Sequence, residues 1–377
     1  MKLLWLVEYF PYDGKITGGV ESRYYYLMKE LLKKEIEICV LTSSREKENV
    51  GEVIEKDGLK IRLCGYNPYT NEGNILKRLN LARNFLKHGK IEKDADIVEG
   101  CNFLAYIPAY FVGKKLKIKK IATWHEVWIK DWIKLKGLLT GFFGELWERI
   151  SLSLRWDKII SVSETTKNRL VSFGIEKEKI HTIYNGINLD EIKGIKIKKD
   201  NEFFPRICVV NRLVPSKRTE IVLKAVSFLA KKFDLWLDIV GDGSEMKRLK
   251  EIADRLGIQK RTKFHGTLPH EETLKVMKKC HAYVSASMFE GFGITAIEAM
   301  ACGCVCFLYD IPVFREVGKP ALFFKDENEL FESMEKVFND EKSMNEKKEE
   351  GTRWVEKFDW KIVGKEYINF LEDYVLP

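Results

Sequence analysis

No apolar run in this chain reaches the roughly 18–20 residues of a membrane span. The opening MKLLWLVEYFPYDG is apolar for only a few residues and carries Glu8. It lacks the long hydrophobic region of a cleavable signal and reads as a first strand. The eight cysteines include no CxxC pair, so disulfides are not expected. Lys and Arg are spread along the chain rather than gathered in one arm. The net charge of +8 therefore does not point to nucleic acid, and a basic surface facing an anionic substrate or lipid accounts for it better. There is no low-complexity tract and no repeat beyond two similar halves. These absences lead to the expectation of a cytoplasmic protein, with contact to the inner membrane face left open.

Two local patterns could suggest a metal. Cys302, Cys304 and Cys306 alternate, which in a strand would put them on one face. Small residues on a buried strand are the simpler reading, because no second Cys/His cluster accompanies them. Asp94-Ala95-Asp96 falls at the start of a candidate strand, at the amino edge, and reads as surface loop. No other cluster offers hard-cation ligands, so neither a metal nor another cofactor is expected.

What is present is length and alternation. The 377 residues, 45% hydrophobic, suffice for two domains. Short apolar runs alternate with helix-period segments, the pattern of parallel βαβ units. Candidate strands in the first half are Leu3–Val7, Glu37–Leu41, Lys60–Leu63, Asp96–Glu99, Lys120–Trp124, Lys158–Val162 and Lys179–Ile183. In the second half they are Arg206–Val210, Trp236–Val240, Thr262–Phe264, Ala282–Ser285, Val305–Leu308 and Ala321–Phe324. The polar, lysine-rich stretch 191–201 reads as a linker between domains at 1–190 and 202–358. The last segment, 359–377, has helical spacing of Trp360, Val363, Tyr367, Phe370 and Leu371.

The most informative stretch runs from His281 to Cys306. A β-type run leads into Glu290-Gly291-Phe292-Gly293, and good helix formers follow from Ile294 to Ala301. Strand, Gly-rich turn and helix start make an anion site, because the first amides of the helix are unpaired and lie at its positive end. Glu290 stands in the loop mouth, and Glu298 about one turn inside the helix.

The string from Glu290 to Ala301, EGFGITAIEAMA, resembles the Glu-x7-Glu signature of the retaining glycosyltransferases of family 4, whose fold is GT-B. The resemblance implies an α/β protein with two doubly wound, Rossmann-like domains facing each other across a cleft, and a final helix that crosses back to the first. It also implies a hexosyltransferase-type enzyme that moves a sugar from a nucleotide-sugar donor to an acceptor hydroxyl on a glycan, a lipid-linked sugar or a small molecule. Other GT-B activities, an epimerase or a phosphorylase, and a non-catalytic sugar-binding partner protein are the alternatives.

Further stretches carry the resemblance. Gly18-Gly19-Val20-Glu21 resembles the family's Gly-Gly-x-Glu start, with the two glycines near donor phosphates or acceptor. His125, ending the strand at Thr123-Trp124, resembles a histidine near the donor sugar or acceptor. Ser163-Glu164 and Tyr184-Asn185-Gly186-Ile187-Asn188 resemble a helix cap and the turn before the hinge. Asn211-Arg212 and Lys217 resemble the family's cationic clamp on the donor diphosphate, with Asn211 where Gly is usual. Gly241-Asp242-Gly243 resembles the turn beside the nucleotide, and Phe264-His265-Gly266 lies near where the family holds the base. The implied donor-binding set is Gly18, Gly19, Arg212, Lys217, Gly241, Gly291, Phe292, Gly293, Ile294, Thr295 and Glu298, with Glu290 and His125 nearest the chemistry. Val127–Trp156 interleaves Trp and Phe with Lys and Arg. It suits either a membrane interface with a lipid-linked acceptor or a helix packed on its own domain.

Overall fold

The computed structural model describes residues 1–16, 18–68, 75–197 and 205–375. Thr17 of the Gly-rich loop and the end of the linker stretch, 198–201, lie outside the described residues. The chain divides into two compact units, Met1–Asn185 with Trp360–Pro377, and Gly186–Asp359.

The first unit holds β1 (Lys2–Leu6), β2 (Glu37–Ser44), β3 (Val53–Lys56), β4 (Leu59–Tyr66), β5 (Ile97–Gly100), β6 (Lys119–Trp124), β7 (Lys158–Ser161) and β8 (Ile180–Thr182). Their order in the sheet is β3-β4-β2-β1-β5-β6-β7-β8. Neighbours are parallel except β3 and β4, an antiparallel pair. The sequence reading missed β3. Its four residues are all exposed, so burial leaves no pattern there. The signal lay in the turn: Asp57 and Gly58 both take positive φ, the backbone of a tight hairpin.

Both faces of this sheet are covered. Helix Gly19–Leu32 and the returning helix Trp360–Val375 share one core, in which Trp5, Tyr24, Leu27, Tyr367 and Leu371 are fully buried or nearly so. A buried carboxylate ties that helix down. Glu99, at the carboxyl end of β5, accepts from Tyr24 Oη at 2.6 Å, from Thr123 Oγ1 and from Tyr367 Oη. A buried charge needs such partners to offset its lost hydration.

The second unit holds β9 (Arg206–Val210), β10 (Trp236–Val240), β11 (Thr262–Gly266), β12 (Ala282–Ser285), β13 (Val305–Tyr309) and β14 (Leu322–Phe324), ordered β11-β10-β9-β12-β13-β14 and all parallel. The four inner strands β10, β9, β12 and β13 are buried almost throughout, as expected of strands covered on both faces, whereas the edge strands β11 and β14 are mostly half-buried.

Two sequence expectations need correction. The stretch 191–201 does not begin as linker. Residues Leu189–Gly194 form a helix capped by Asn188, whose side chain accepts from Glu191 N, and Leu189 and Ile192 are buried. The division falls at Asn185/Gly186, because Ile187 pairs with Asp359 inside the second unit. The three alternating cysteines do not share a strand. Cys302 caps the helix Ile294–Ala301, Cys304 precedes β13 and Cys306 lies in it. Their sulfurs face backbone carbonyls of Leu274, Met277 and Ala296.

Candidate active site

In the second unit β9 and β12 are adjacent, yet the chain leaves them in opposite directions, β9 towards β10 and β12 towards β13. The loops after these two strands must therefore separate, and a crevice opens at their carboxyl ends. The loop after β9 carries Arg212 and Lys217, and the loop after β12 carries Glu290 to Gly293. A backbone bond from Met288 N to Ser216 O, 3.0 Å, joins them. Lys217 Nζ donates to Glu290 Oε1 at 2.5 Å, with 13% and 18% of the two side chains exposed. Residues 73 apart in sequence thus make one ion pair at the switch point. Arg212, earlier in the same loop as Lys217, is exposed.

The helix Ile294–Ala301 starts at this point. Gly293 caps it in the left-handed region at φ +88°, and a Cβ there would lie 2.7 Å from Phe314 Cε1. Glycine is required on both counts. The helix thus presents its first amides at the crevice rather than to a side-chain cap. Of the other residues in this turn, Phe292 turns inwards, 3% exposed and edge-on to Phe358 at 5.5 Å. Its side chain is core, and only its backbone is available to a ligand. Thr295 Oγ1 bonds to the Tyr283 hydroxyl at 2.9 Å, and burial pushes that phenol far above its ordinary pKa. Ile294 opens the helix half-buried.

Glu298 is 7% exposed and is not alone. His270 Nε2 lies 2.8 Å from its Oε1, and His270 Nδ1 lies 3.4 Å from Glu191 Oε1. Burial alone would depress this imidazole. The hydrogen bonds and charges of Glu191 and Glu298 outweigh it and raise the pKa to about 10. An imidazolium at the first position of the helix His270–Lys279 opposes that helix's dipole, and the two carboxylates offset this as well. Nothing in the sequence marked His270 or Glu191.

Two neighbouring stretches make framework contacts. Gly241 has φ +126°, and a Cβ on it would sit 1.8 Å from Asn211 O, so the turn after β10 rests against the backbone that precedes Arg212. His265 points to the buried Asp238, Nε2 to Oδ1 at 2.7 Å, and Asp238 also accepts from Arg206 Nε at 2.7 Å.

In the first unit the strand order, not the strand direction, reverses between the parallel neighbours β1 and β5. Gly18 precedes the helix Gly19–Leu32, and its amide donates to Glu21 Oε2 at 3.2 Å. His125 follows β6, and its Nε2 lies 3.0 Å from Cys101 O, next to β5. A carbonyl only accepts, so the neutral ring carries its proton on Nε2 and offers the Nδ1 lone pair. Burial first, and Arg23 second, hold this histidine down at about 3. It is an uncharged hydrogen-bonding group, not an imidazolium. Arg23 was also missed. It is fully buried, and its NH1 donates to Ile183 O at 3.0 Å, Tyr184 O at 2.9 Å and Asn185 Oδ1 at 3.0 Å. Asp94 and Asp96 lie at the amino edge, where Lys2 engages both. Ser163 caps the helix Glu164–Ser172 by accepting from Thr166 N.

Comparison with known proteins agrees with this architecture. Residues 17–191 match the family model "Glycosyltransferase Family 4", and residues 190–354 match "Glycosyl transferases group 1". The chain belongs to the group 1 glycosyltransferases of GT-B fold. It is 24% identical over 296 residues to a phosphatidylinositol N-acetylglucosaminyltransferase subunit of Arabidopsis thaliana, covering 76% of this chain and 63%, less than two thirds, of that relative. It is 25% identical over 323 residues to N-acetylgalactosamine-N,N'-diacetylbacillosaminyl-diphospho-undecaprenol 4-alpha-N-acetylgalactosaminyltransferase of Campylobacter jejuni, covering 80% of this chain and 83% of that one. Among solved structures, Anabaena HepE in complex with UDP-glucose superposes with a TM-score of 0.75 at 17% identity, over 99% of this chain and 100% of that one.

Proposed function

We propose that the protein transfers a sugar, with retention of configuration, from a nucleotide-sugar donor to the hydroxyl of a lipid-linked acceptor. The observation that carries this reading is the Lys217–Glu290 pair at the switch point, beside the open N-terminus of the helix Ile294–Ala301. A leaving diphosphate gains negative charge as the C1–O bond breaks. Lys217, Arg212 and the helix amides supply the fixed positive potential that stabilises it. When the diphosphate takes Lys217, Glu290 is freed to face the sugar. Glu298, braced by His270, is the acceptor of the ribose hydroxyls. The acceptor oxygen bonds to C1 on the face the phosphate leaves, and its proton passes to the departing phosphate oxygen. No metal is needed, because protein cations and amides carry the charge. In the first unit, His125 Nδ1 accepts a hydrogen bond from a sugar or acceptor hydroxyl.

The two relatives named above support a lipid-linked acceptor, and the UDP-glucose complex of HepE supports a uridine donor. The test is incubation with a panel of nucleotide sugars and undecaprenyl-diphospho-sugar or phosphatidylinositol acceptors, with and without chelator. Product of retained anomeric configuration by NMR, undiminished by chelator, is the expected result. Inverted product, or phosphate-dependent cleavage without transfer, would overturn it.

A further inference from the structure

The helix Leu138–Ser153 is built inside out. Its inward face is Gly141, Gly144, Glu148, Ser151 and Leu152. A Cβ on Gly141 would lie 2.5 Å from Ile133 Cα, and one on Gly144 would lie 2.4 Å from Trp132 Cε3. The helix therefore lies flush on the preceding turn, Trp132–Lys136, and has no room for larger residues there. Its large apolar side chains face outward. Leu138, Leu139, Phe142, Phe143, Leu146 and Ile150 are between 41% and 76% exposed. With 3.6 residues per turn they fall in one stripe about 140° wide. Side chains of this size left in water forgo most of the free energy that burial would give them. The tryptophans of this region are not part of the stripe: Trp147 Nε1 donates to Phe103 O, and Trp156 is buried with its Nε1 on Ser151 O.

Charge identifies what covers the stripe. Lys134, Lys136 and Arg155 are exposed around it, and Arg149 is exposed but already paired with Glu145. The acids of the same segment are engaged: Asp131 with Arg169, Glu145 with Arg149, and Glu148 beneath the helix with Trp128 N and Trp132 Nε1. A second copy of this chain would bring these cations against their own counterparts. An anionic lipid surface takes both features, the apolar stripe at the acyl boundary and the cations among the headgroups. Among the described residues no helix is long and apolar enough to cross a membrane, so the contact is in-plane.

We propose that the helix Leu138–Ser153 is a membrane-docking surface that seats the first unit on an anionic lipid bilayer. The proposal stands on this helix and not on the chemistry of the donor site, although it suits the lipid-borne acceptor proposed above.

The test is flotation of the full chain with vesicles of phosphatidylcholine alone and of phosphatidylcholine mixed with phosphatidylglycerol. Binding is expected to the mixed vesicles and to weaken with salt. Replacing Leu139, Phe142 and Phe143 together by Ser should lower it roughly tenfold or more, because three side chains lose their partition energy. The Lys134→Gln, Lys136→Gln pair should remove most of the preference for phosphatidylglycerol. These residues are exposed, so an unchanged melting temperature controls for folding. Nucleotide binding by the same variants should be unchanged, which separates failure here from failure of the donor site. Wild-type protein that floats with neither vesicle overturns the proposal. So does a wild-type dimer that the triple variant splits, since the face would then be a self-association surface.

Discussion

His270 bridges Glu298 and Glu191, with its two ring nitrogens 2.8 Å and 3.4 Å from their carboxylates. Its raised pKa makes it a cation, so Glu298 is held in one rotamer by a charged partner that does not compete for its second oxygen. His270→Gln should therefore lower nucleoside diphosphate affinity roughly tenfold, the scale of one hydrogen bond to a charged group, and change kcat at saturating donor much less. Calorimetry and steady-state kinetics check this split. The folded pKa of about 10 exceeds the ordinary 6.5. The stability that His270 contributes is thus fully present below pH 6.5 and is lost as pH rises through about 10. The difference in melting temperature between wild type and His270→Gln should shrink across that window.

Lys217→Ala removes a diphosphate ligand and leaves Glu290 without its cation. Loss of roughly 1.5–3 kcal/mol in nucleoside diphosphate affinity is expected. Glu290→Gln should have the opposite sign on that measurement, tightening the bare diphosphate, because Lys217 no longer has to leave a carboxylate. Equal affinity in all three proteins would show that the ion pair stands apart from the phosphates.

The two glutamates of the Glu-x7-Glu stretch should separate kinetically. Glu290→Gln is expected to cost on the order of 10²–10³ in turnover if the carboxylate stabilises developing positive charge at C1. Glu298→Gln should cost mainly donor binding, about 1–3 kcal/mol. The comparison uses kcat and donor KM for both variants under identical acceptor conditions.

Glu148 gives a pH dependence of the other kind. Burial pushes its carboxyl up to about 7 from the ordinary 4.5, against the hydrogen bonds from Trp132 and Trp128. The fold thus favours its protonated form. Its destabilising effect is absent below about pH 4.5, grows as pH rises, and levels off above about pH 7 at roughly 3 kcal/mol. Glu148→Gln should flatten the fall in melting temperature over that interval.

The parallel strands were legible because each is a short apolar run followed by a helical period, and the Glu290–Ala301 string named the crevice directly. Helix Ile294–Ala301 falls where those residues predict it. What the sequence hid was of two kinds. β3 escaped because an exposed edge strand has no burial to pattern it. His270, Glu191 and Arg23 escaped because their partners lie far along the chain, 28 residues between His270 and Glu298 and 160 between Arg23 and Ile183. Phe292 shows the converse: a residue inside a motif whose side chain serves the core while its backbone serves the turn. The apolar face of Leu138–Ser153 was half visible. The interleaved aromatics drew attention to the region, but only packing separates the inward tryptophans from the outward leucines and phenylalanines.

The returning helix Trp360–Val375 sets an order on synthesis. The second unit is one unbroken segment, Gly186–Asp359, whereas the first is interrupted by it. As the chain emerges from a ribosome, the second unit has all its residues before the first does. Until Tyr367 arrives, Glu99 lacks one of its three hydroxyl partners, and the apolar side of the helix Gly19–Leu32 lacks its cover. The earlier-made half is therefore the later one to finish, and its core stays incomplete until the last residues of the chain are made.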